Sequence, residues 1–296
     1  MSTQDLTDTP TRRSAPSRRP RLGQLLSQLI AVMWTSLAVL PFLLIILLSF
    51  KSNTDIFSNP LGVLHVDWRP ENFSEAWSGP PGGQGFVQYV FNSVVVTAIG
   101  VAGCVFLGSF TAYFATLASP RVRALVIAGF LAAATLPLIM LLIPYYSAFS
   151  ALSLLSTPWA VGVVYACLCL PTSVLILHGF YLGFPAELRE AAAIDGLGLM
   201  RTYLRIVLPL SRGPLVAVGL INGIFVWGET QLAIVLLQAP ESRPIPVGLL
   251  DFQGQFSANT GAIFAGLTLA TIPLVLLYLV FNRSIAKGIA LGGVFR

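Results

Sequence analysis

Charge is what this chain has least of. Only 10% of its 296 residues are Asp, Glu, Lys or Arg, against roughly a quarter in soluble globular domains. The mean hydropathy is +0.81, which excludes an ordinary water-soluble fold. Reactive side chains are equally sparse, with two histidines and three cysteines. No H-E-x-x-H pair is present, and no G-x-x-x-x-G-K-[Ser/Thr] loop, so a zincin centre and a phosphate cradle for ATP are both missing. Ser109 and His178 stand in no G-x-S-x-G setting, which leaves an intramembrane hydrolase without its machinery. His178 reads as an interfacial or satisfied core residue. Cys104, Cys167 and Cys169 lie inside apolar runs, where a free thiol behaves as a small apolar group. Cys167 and Cys169 point about 200° apart on a helix and lack His or carboxylate company, a poor start for a metal site.

What is abundant is apolar length. A helix crosses the hydrocarbon core with about 20 apolar residues. Six segments meet that length: about 26–50, 87–118, 124–147, 158–182, 214–238 and 261–283. They fill most of the chain and leave no room for a separate soluble domain, so the expected fold is an all-α polytopic membrane bundle over residues 22–296. The stretch 1–21, rich in Ser, Thr, Pro and Arg, has little to bury and is expected to be disordered. The first apolar run is too long for a signal peptide and shows no small-x-small cleavage site, so it is read as a retained span.

Orientation follows from the basic residues, which favour the cytoplasmic loops. Fourteen of the seventeen lie on one side: in the N-terminal tail, at Arg121 and Arg123, in the loop 183–213, and at Arg283, Lys287 and Arg296. The opposite loops hold Lys51, Arg69 and Arg243. Both termini are therefore expected in the cytoplasm. The net charge of +5 reads as this orientation signal, and no nucleic-acid partner is expected.

Three features stand out inside the spans. Gly100, Cys104, Gly108 and Ala112 recur every four residues, a spacing that lets two backbones approach. Internal packing and a subunit contact both fit it. Prolines at 41, 137, 144, 171 and 273 suit kinked helices in a bundle that opens. The fifth span carries Asn222, Trp227 and Glu229. A carboxylate at membrane depth costs about 2.5–3.5 kcal/mol on insertion scales, so it faces a polar interior or a partner. Asn222 and Glu229, two turns apart, are expected on one face of that span, beside a translocation path. The alternative for Glu229 is a structural hydrogen bond to a neighbouring helix. No internal repeat is visible, which counts against a repeat-built secondary transporter.

The loop 183–213 is the sizeable polar segment between spans. Pro185 suits a helix start, Glu187 and Glu190 suit its positive end, and Ala191, Ala192 and Ala193 favour the helix itself. Asp195-Gly196 supplies a stop, since Gly accepts the left-handed conformation. The result is a short helix with a smooth alanine surface beside acidic groups. The following segment, about 199–208, alternates Tyr203, Ile206 and Val207 with Arg201 and Arg205, and is expected to lie amphipathically at the membrane surface. On composition alone the loop also fits a plain interfacial connector.

The run E-A-A-A-I-D-G-L-G-L-M-R-T-Y-L-R-I-V-L-P, Glu190 to Pro209, resembles the EAA loop of bacterial ABC-importer permeases. N-S-V-V-V-T at 92–97, L-P-L-I-M-L-L-I-P-Y-Y at 136–146 and G-I-F-V-W-G-E-T-Q-L-A at 223–233 are similar to that family's second, third and fifth spans. P-I-P-V-G-L at 244–249 and the F-N-R-S-I-A-K-G-I-A-L-G-G-V ending resemble its carbohydrate subgroup, of the maltose-permease (MalG-like) type. Arg189 departs from the pattern, standing where an acidic residue is common, as does Gly228, where Asn is frequent.

The resemblance implies a multi-pass inner-membrane permease subunit that moves a sugar or oligosaccharide by ATP-driven alternating access. It implies a cytoplasmic ABC ATPase dimer docked on Glu187, Glu190, Ala191, Ala192, Asp195, Gly196 and Pro209. ATP and Mg would be bound by that partner, with no cofactor in this chain. It further implies a second homologous permease subunit. An extracytoplasmic solute-binding protein would be met by the outer loop 239–260, with Arg243, Pro246, Gly248 and Asp251. A permease for a polyamine or another non-sugar solute, or an ion-coupled secondary transporter, are the alternatives.

Overall fold

The computed structural model describes residues 22–63, 67–253 and 259–294, with backbone alone at 22 and 281–294. The expectation for 1–21 lies outside these residues. Helices α1 (Leu22–Leu48), α2 (Asn53–Ser58), α3 (Glu71–Ser78) and α4 (Phe86–Leu117) are followed by α5 (Pro120–Ala134), α6 (Leu138–Ala151), α7 (Pro158–Leu182) and α8 (Ala186–Ile194). Then come α9 (Leu199–Thr202), a π segment (Tyr203–Val207), α10 (Leu208–Leu210), α11 (Arg212–Gly228) and α12 (Gln231–Leu236). Two 3-10 turns, Pro240–Ser242 and Leu249–Phe252, flank α13 (Ile245–Gly248), and α14 runs Thr260–Val294. Among the described residues Lys51 pairs with Trp68 in an antiparallel bridge. Residues up to Leu44 form one unit and those from Ile45 onward another.

Four helices, α1, α4, α7 and α14, are long and apolar enough to cross a membrane singly, and two bent pairs bring the candidate spans to six. One bent pair is α5 with α6 and the other is Leu199–Leu210 with α11; the first of them, and a separate break at Glu229, correct the simple reading of the sequence. The expected span 124–147 is two helices, α5 and α6, meeting at 91°. Pro137 explains the break. It has no N–H for the helix ladder and drives Leu136 away from helical backbone. It therefore caps α6 with ψ 133° and does not kink a continuous helix. The expected span 214–238 likewise ends at Gly228, where Glu229 turns to extended backbone (ψ 129°) and the short α12 restarts.

The second unit is organised on α4 and α7. The small-residue stripe of α4 packs inside the chain: Gly100, Cys104, Gly108 and Ala112 are all buried. A Cβ on Gly108 would lie 2.6 Å from Ser173 Cβ, one on Gly103 2.7 Å from Ala166 Cβ, and one on Gly162 2.9 Å from Ile99 Cβ. The backbones approach closely because neither helix places bulk at the crossing. Of the two readings of the stripe, internal packing is the one observed.

At the outer end, polar groups fold the loop 51–85 onto the bundle. Lys51 is fully buried, and its ammonium donates to the carbonyls of Asn59 (2.8 Å), Pro60 (3.0 Å) and Gly62 (2.6 Å), where α2 ends. A buried cation is tolerated where it is fully hydrogen-bonded, and a helix C-terminus favours positive charge. Asn72 of α3 donates to the carbonyls of Ser49 and Lys51, both at 2.9 Å.

The close crossing yields a direct check. Gly108→Val is expected to cut the yield of folded protein in detergent, read by size-exclusion chromatography of a fluorescent fusion. Gly129→Val on α5, where a Cβ meets nothing within 4 Å, should leave the elution profile unchanged. Equal behaviour of the two variants would refute a tight α4–α7 contact.

Candidate functional site: the cytoplasmic helix and the polar ties of the bundle

Helix α8 forms for the reasons its sequence suggests. Pro185 caps it with extended backbone (ψ 128°), and Glu187 sits in its first turn. At the far end Gly196 adopts φ +74°. The N–H of Leu197 donates to Ala192 O (2.9 Å) and that of Gly196 to Ala193 O (3.1 Å). These two bonds are the Schellman pattern, which needs a residue free of the Cβ penalty at its left-handed position.

The alanine face is split. Ala192 is 1% exposed, turned onto the protein itself, while Ala191 and Ala193 are exposed. Ala192 thus seats the helix on its own bundle and is withdrawn from the expected docking surface, because successive helical residues point about 100° apart. The outward surface instead carries Ile194, 87% exposed, with Glu187, Glu190, Asp195 and Gly196 around it. Leu199, 62% exposed, continues it beyond the turn. Ile194 and Leu199 are functional candidates that the sequence reading passed over. An apolar residue just before a Gly stop was the available signal.

Beyond α8 the chain is amphipathic as expected: Tyr203 and Val207 are buried while Arg201 and Arg205 are exposed. It is helical throughout, with the N–H of Leu208 reaching Tyr203 O in the wide π register. Pro209 accounts for the widening. A proline in a regular α-turn clashes with the carbonyl four residues back, and the π turn relieves that clash. Pro209 itself is exposed, and α10 meets α11 at 75°.

The three residues expected along a translocation path each make an interhelical tie. Asn222 donates to Ser173 Oγ of α7 at 2.9 Å. Trp227 Nε1 donates to Ala270 O of α14 at 3.2 Å. The Glu229 carboxylate accepts from the Tyr165 hydroxyl of α7 and from the N–H groups of Gln231 (2.7 Å) and Leu232 (3.1 Å to Oε2). All three residues are buried. Glu229 does not continue the face of Asn222, because it has left the helix. It closes the open N-terminal amides of α12, where negative charge is favoured. For Glu229 the structural hydrogen bond is the alternative observed. His178 is a buried core residue whose Nδ1 lies 3.4 Å from Ala112 O.

Of the outer loop 239–260 expected to reach a partner, residues 239–253 are largely folded inward, and 254–258 lie outside the described residues. Arg243 pairs with Asp251 and donates to Gln238 O at 2.7 Å, and Tyr89 of α4 donates to Asp251 at 3.2 Å. Gly248 is buried against the Tyr89 ring, where a Cβ would come within 2.5 Å. Asn92 donates to the carbonyls of Glu241 (2.8 Å) and Arg243 (3.0 Å), and Ser93 accepts from Ile245 N–H (2.9 Å). Arg243, Gly248 and Asp251 therefore hold the loop in shape, and Pro246 is half-buried. The exposed positions are Glu241, Leu250 and Gln253. Beside Leu250 and Gln253 opens a groove of about 830 Å³, whose charged lining is Asp67, Arg69, Glu75 and Asp251.

Comparison with known proteins agrees with this architecture. Residues 104–291 match the family model described as binding-protein-dependent transport system inner membrane component. A putative ABC transporter permease protein of Caldicellulosiruptor sp. (strain Rt8B.4) is 34% identical, over 88% of this chain and 93% of its own length. The diacetylchitobiose uptake system permease protein NgcG of Streptomyces coelicolor is 28% identical, over 95% and 91% respectively. The fold is similar, with a TM-score of 0.69, to a chain in the crystal structure of a bacterial ABC transporter involved in import of the acidic polysaccharide alginate. That likeness spans 91% of this chain and 99% of the other at 20% identity.

Glu229→Ala is expected to lower the melting temperature of the purified protein, since it strands the Gln231 and Leu232 amides and the Tyr165 hydroxyl, at about 1–3 kcal/mol per unsatisfied group. Glu229→Gln, which keeps an acceptor, should fall between it and the parent. A Glu229→Ala protein as stable as the parent would contradict the tie.

Proposed function

Because the chain belongs to the binding-protein-dependent transport system inner membrane component family, a multi-pass permease of the inner membrane, we propose that it moves a sugar or oligosaccharide inward, driven by an ATPase docked on α8. The observation that carries the docking is the exposed α8 surface. A rigid helix with a defined end presents Ile194 at 87% exposure ringed by Glu187, Glu190 and Asp195. An apolar anchor inside a polar rim is the pattern of an interface hot spot. Gly196 sets the direction in which that anchor points, through its left-handed turn.

The partners proposed are a cytoplasmic ABC ATPase dimer, which would bind ATP and Mg, a second homologous permease subunit, and an extracytoplasmic solute-binding protein. Glu241, Leu250, Gln253 and the groove lined by Asp67, Arg69, Glu75 and Asp251 are the proposed face for the last of these. Sugar as the solute rests on relatives such as the diacetylchitobiose permease protein. The bundle prolines at 41, 144, 171 and 273 lie inside helices, and the two broken spans add flexible joints to a path that opens on alternate sides.

Ile194→Asp is expected to release the ATPase subunit from the purified complex while the chain stays inserted in the membrane. Gly196→Pro, which no proline ring tolerates at φ +74°, should do the same. Retention of the ATPase by both variants would remove α8 from the interface. Uptake into vesicles of radiolabelled diacetylchitobiose, maltose and spermidine, with ATP or with an ion gradient alone, tests the solute class. Spermidine uptake, or uptake on the gradient alone, would overturn the sugar-importer reading.

A further inference from the structure

Helix α8 has one buried residue, Ala192, and one half-buried, Arg189. The firmer hold is at its two roots. Tyr181 lies in the last turn of α7, just before α8, and Tyr203 opens the π segment just after it. Both are buried, and both hydroxyls meet one atom of α4. Tyr203 donates to Ser109 Oγ at 2.9 Å, and the Tyr181 hydroxyl lies 2.7 Å from the same oxygen. A serine hydroxyl has one proton and two lone pairs, so it serves two phenols at once. Ser109 itself has no exposed surface.

The rings are held as firmly as the hydroxyls. Tyr113 stacks on Tyr203 with centroids 5.4 Å apart and meets Tyr181 edge-on at 5.7 Å. Phe110 stands edge-on to Tyr203 at 5.9 Å. Ser211, buried at the bend into α11, donates its hydroxyl to Val207 O at 2.6 Å and also lies against the Tyr181 hydroxyl. Hydrogen bonds in such a dry setting are electrostatically stronger than in water.

We propose that Ser109 is a positioning residue, whose single buried hydroxyl pins both roots of the α8 loop to α4 and so makes α8 and α4 move as one body. The proposal rests on α8 being the ATPase contact. Displacement of α8 by the motor is then passed to the α4–α7 pair and not absorbed in the loop. The hydroxyls of Ser109, Tyr181 and Tyr203, with that of Ser211 also against Tyr181, form one small set, and each is removable with its ring or backbone left in place.

The test uses the chain copurified with its ATPase, in a Cys167→Ser background, with spin labels on cysteines placed at Ala193 of α8 and Val94 of α4. The label separation is measured by pulsed electron paramagnetic resonance, without nucleotide and after trapping with ATP and vanadate. With Ser109 present, a single separation unchanged by trapping is expected. In Ser109→Ala, and separately in Tyr203→Phe, the separation should shift and broaden on trapping while the ATPase stays bound. A separation that changes on trapping in the parent overturns the proposal. So does one that stays fixed in the variants, including the case where they merely lower the melting temperature, because the hydroxyl then serves only stability. The docking of α8 is decided separately by Ile194→Asp in the same complex: retention of the ATPase by that variant would refute the docking, whatever the label separation.

Discussion

The contact of α4 with α7 is what the rest of the structure depends on. Gly103 and Gly108 on one helix and Gly162 on the other bring two backbones to a separation at which an added Cβ would collide, and at Gly100 it would be tight. In a lipid environment apolar side chains gain little by leaving the tails, so close backbone packing and hydrogen bonds must hold helices together. Glycine is the residue that permits the first. The polar side chains lining the same pair supply the second.

Each functional region hangs from this pair by a few hydrogen bonds at a definite height. At the outer end Tyr89, Asn92 and Ser93 of α4 receive the loop 239–253. Near the middle Tyr165 of α7 meets Glu229, and one level further in, beside Gly108, Ser173 of α7 receives Asn222 of α11. At the cytoplasmic end Ser109 of α4 receives both roots of the α8 loop. Helix α4 spans 32 residues, roughly 48 Å at 1.5 Å per residue, which exceeds the hydrocarbon thickness of about 30 Å. One continuous rod therefore reaches from the outer loops to the cytoplasmic helix. A transporter that must relate events on its two faces has in this rod a physical link between them.

Polar residues that look functional in the sequence were spent mainly on architecture. Asn222, Trp227 and Glu229 attract notice because membrane spans hold few such groups, and each is matched by a partner on a neighbouring helix. The same holds for Arg243 and Asp251, which satisfy one another, and for Lys51, which closes α2. Among the described residues Thr97 and Tyr113 are exceptions: their hydroxyls are buried with no hydrogen-bond partner, although the Tyr113 ring is packed against Tyr181 and Tyr203. Burying an unpaired hydroxyl is costly, so the ring contacts outweigh it here.

The sequence by itself determined what depends on local chemistry or on summed hydropathy. The extents of α4 and α7 agree with their apolar runs to within a residue. The start of α8 follows from Pro185 and its end from Gly196, whose left-handed turn is a property of one residue type. The stretch from Glu190 to Pro209 carried the family resemblance unaided. Only the tertiary structure decided which way residues face and with whom they pair. It turned Ala192 inward and Ile194 outward on one short helix, broke two apparent spans at Pro137 and Glu229, and brought Ser109, Tyr181 and Tyr203 to one point from places 72 and 94 residues distant from Ser109 in the chain. Hydropathy along a chain measures how much of a residue prefers lipid. It carries no information about the distance between two hydroxyls on different helices, which packing alone sets.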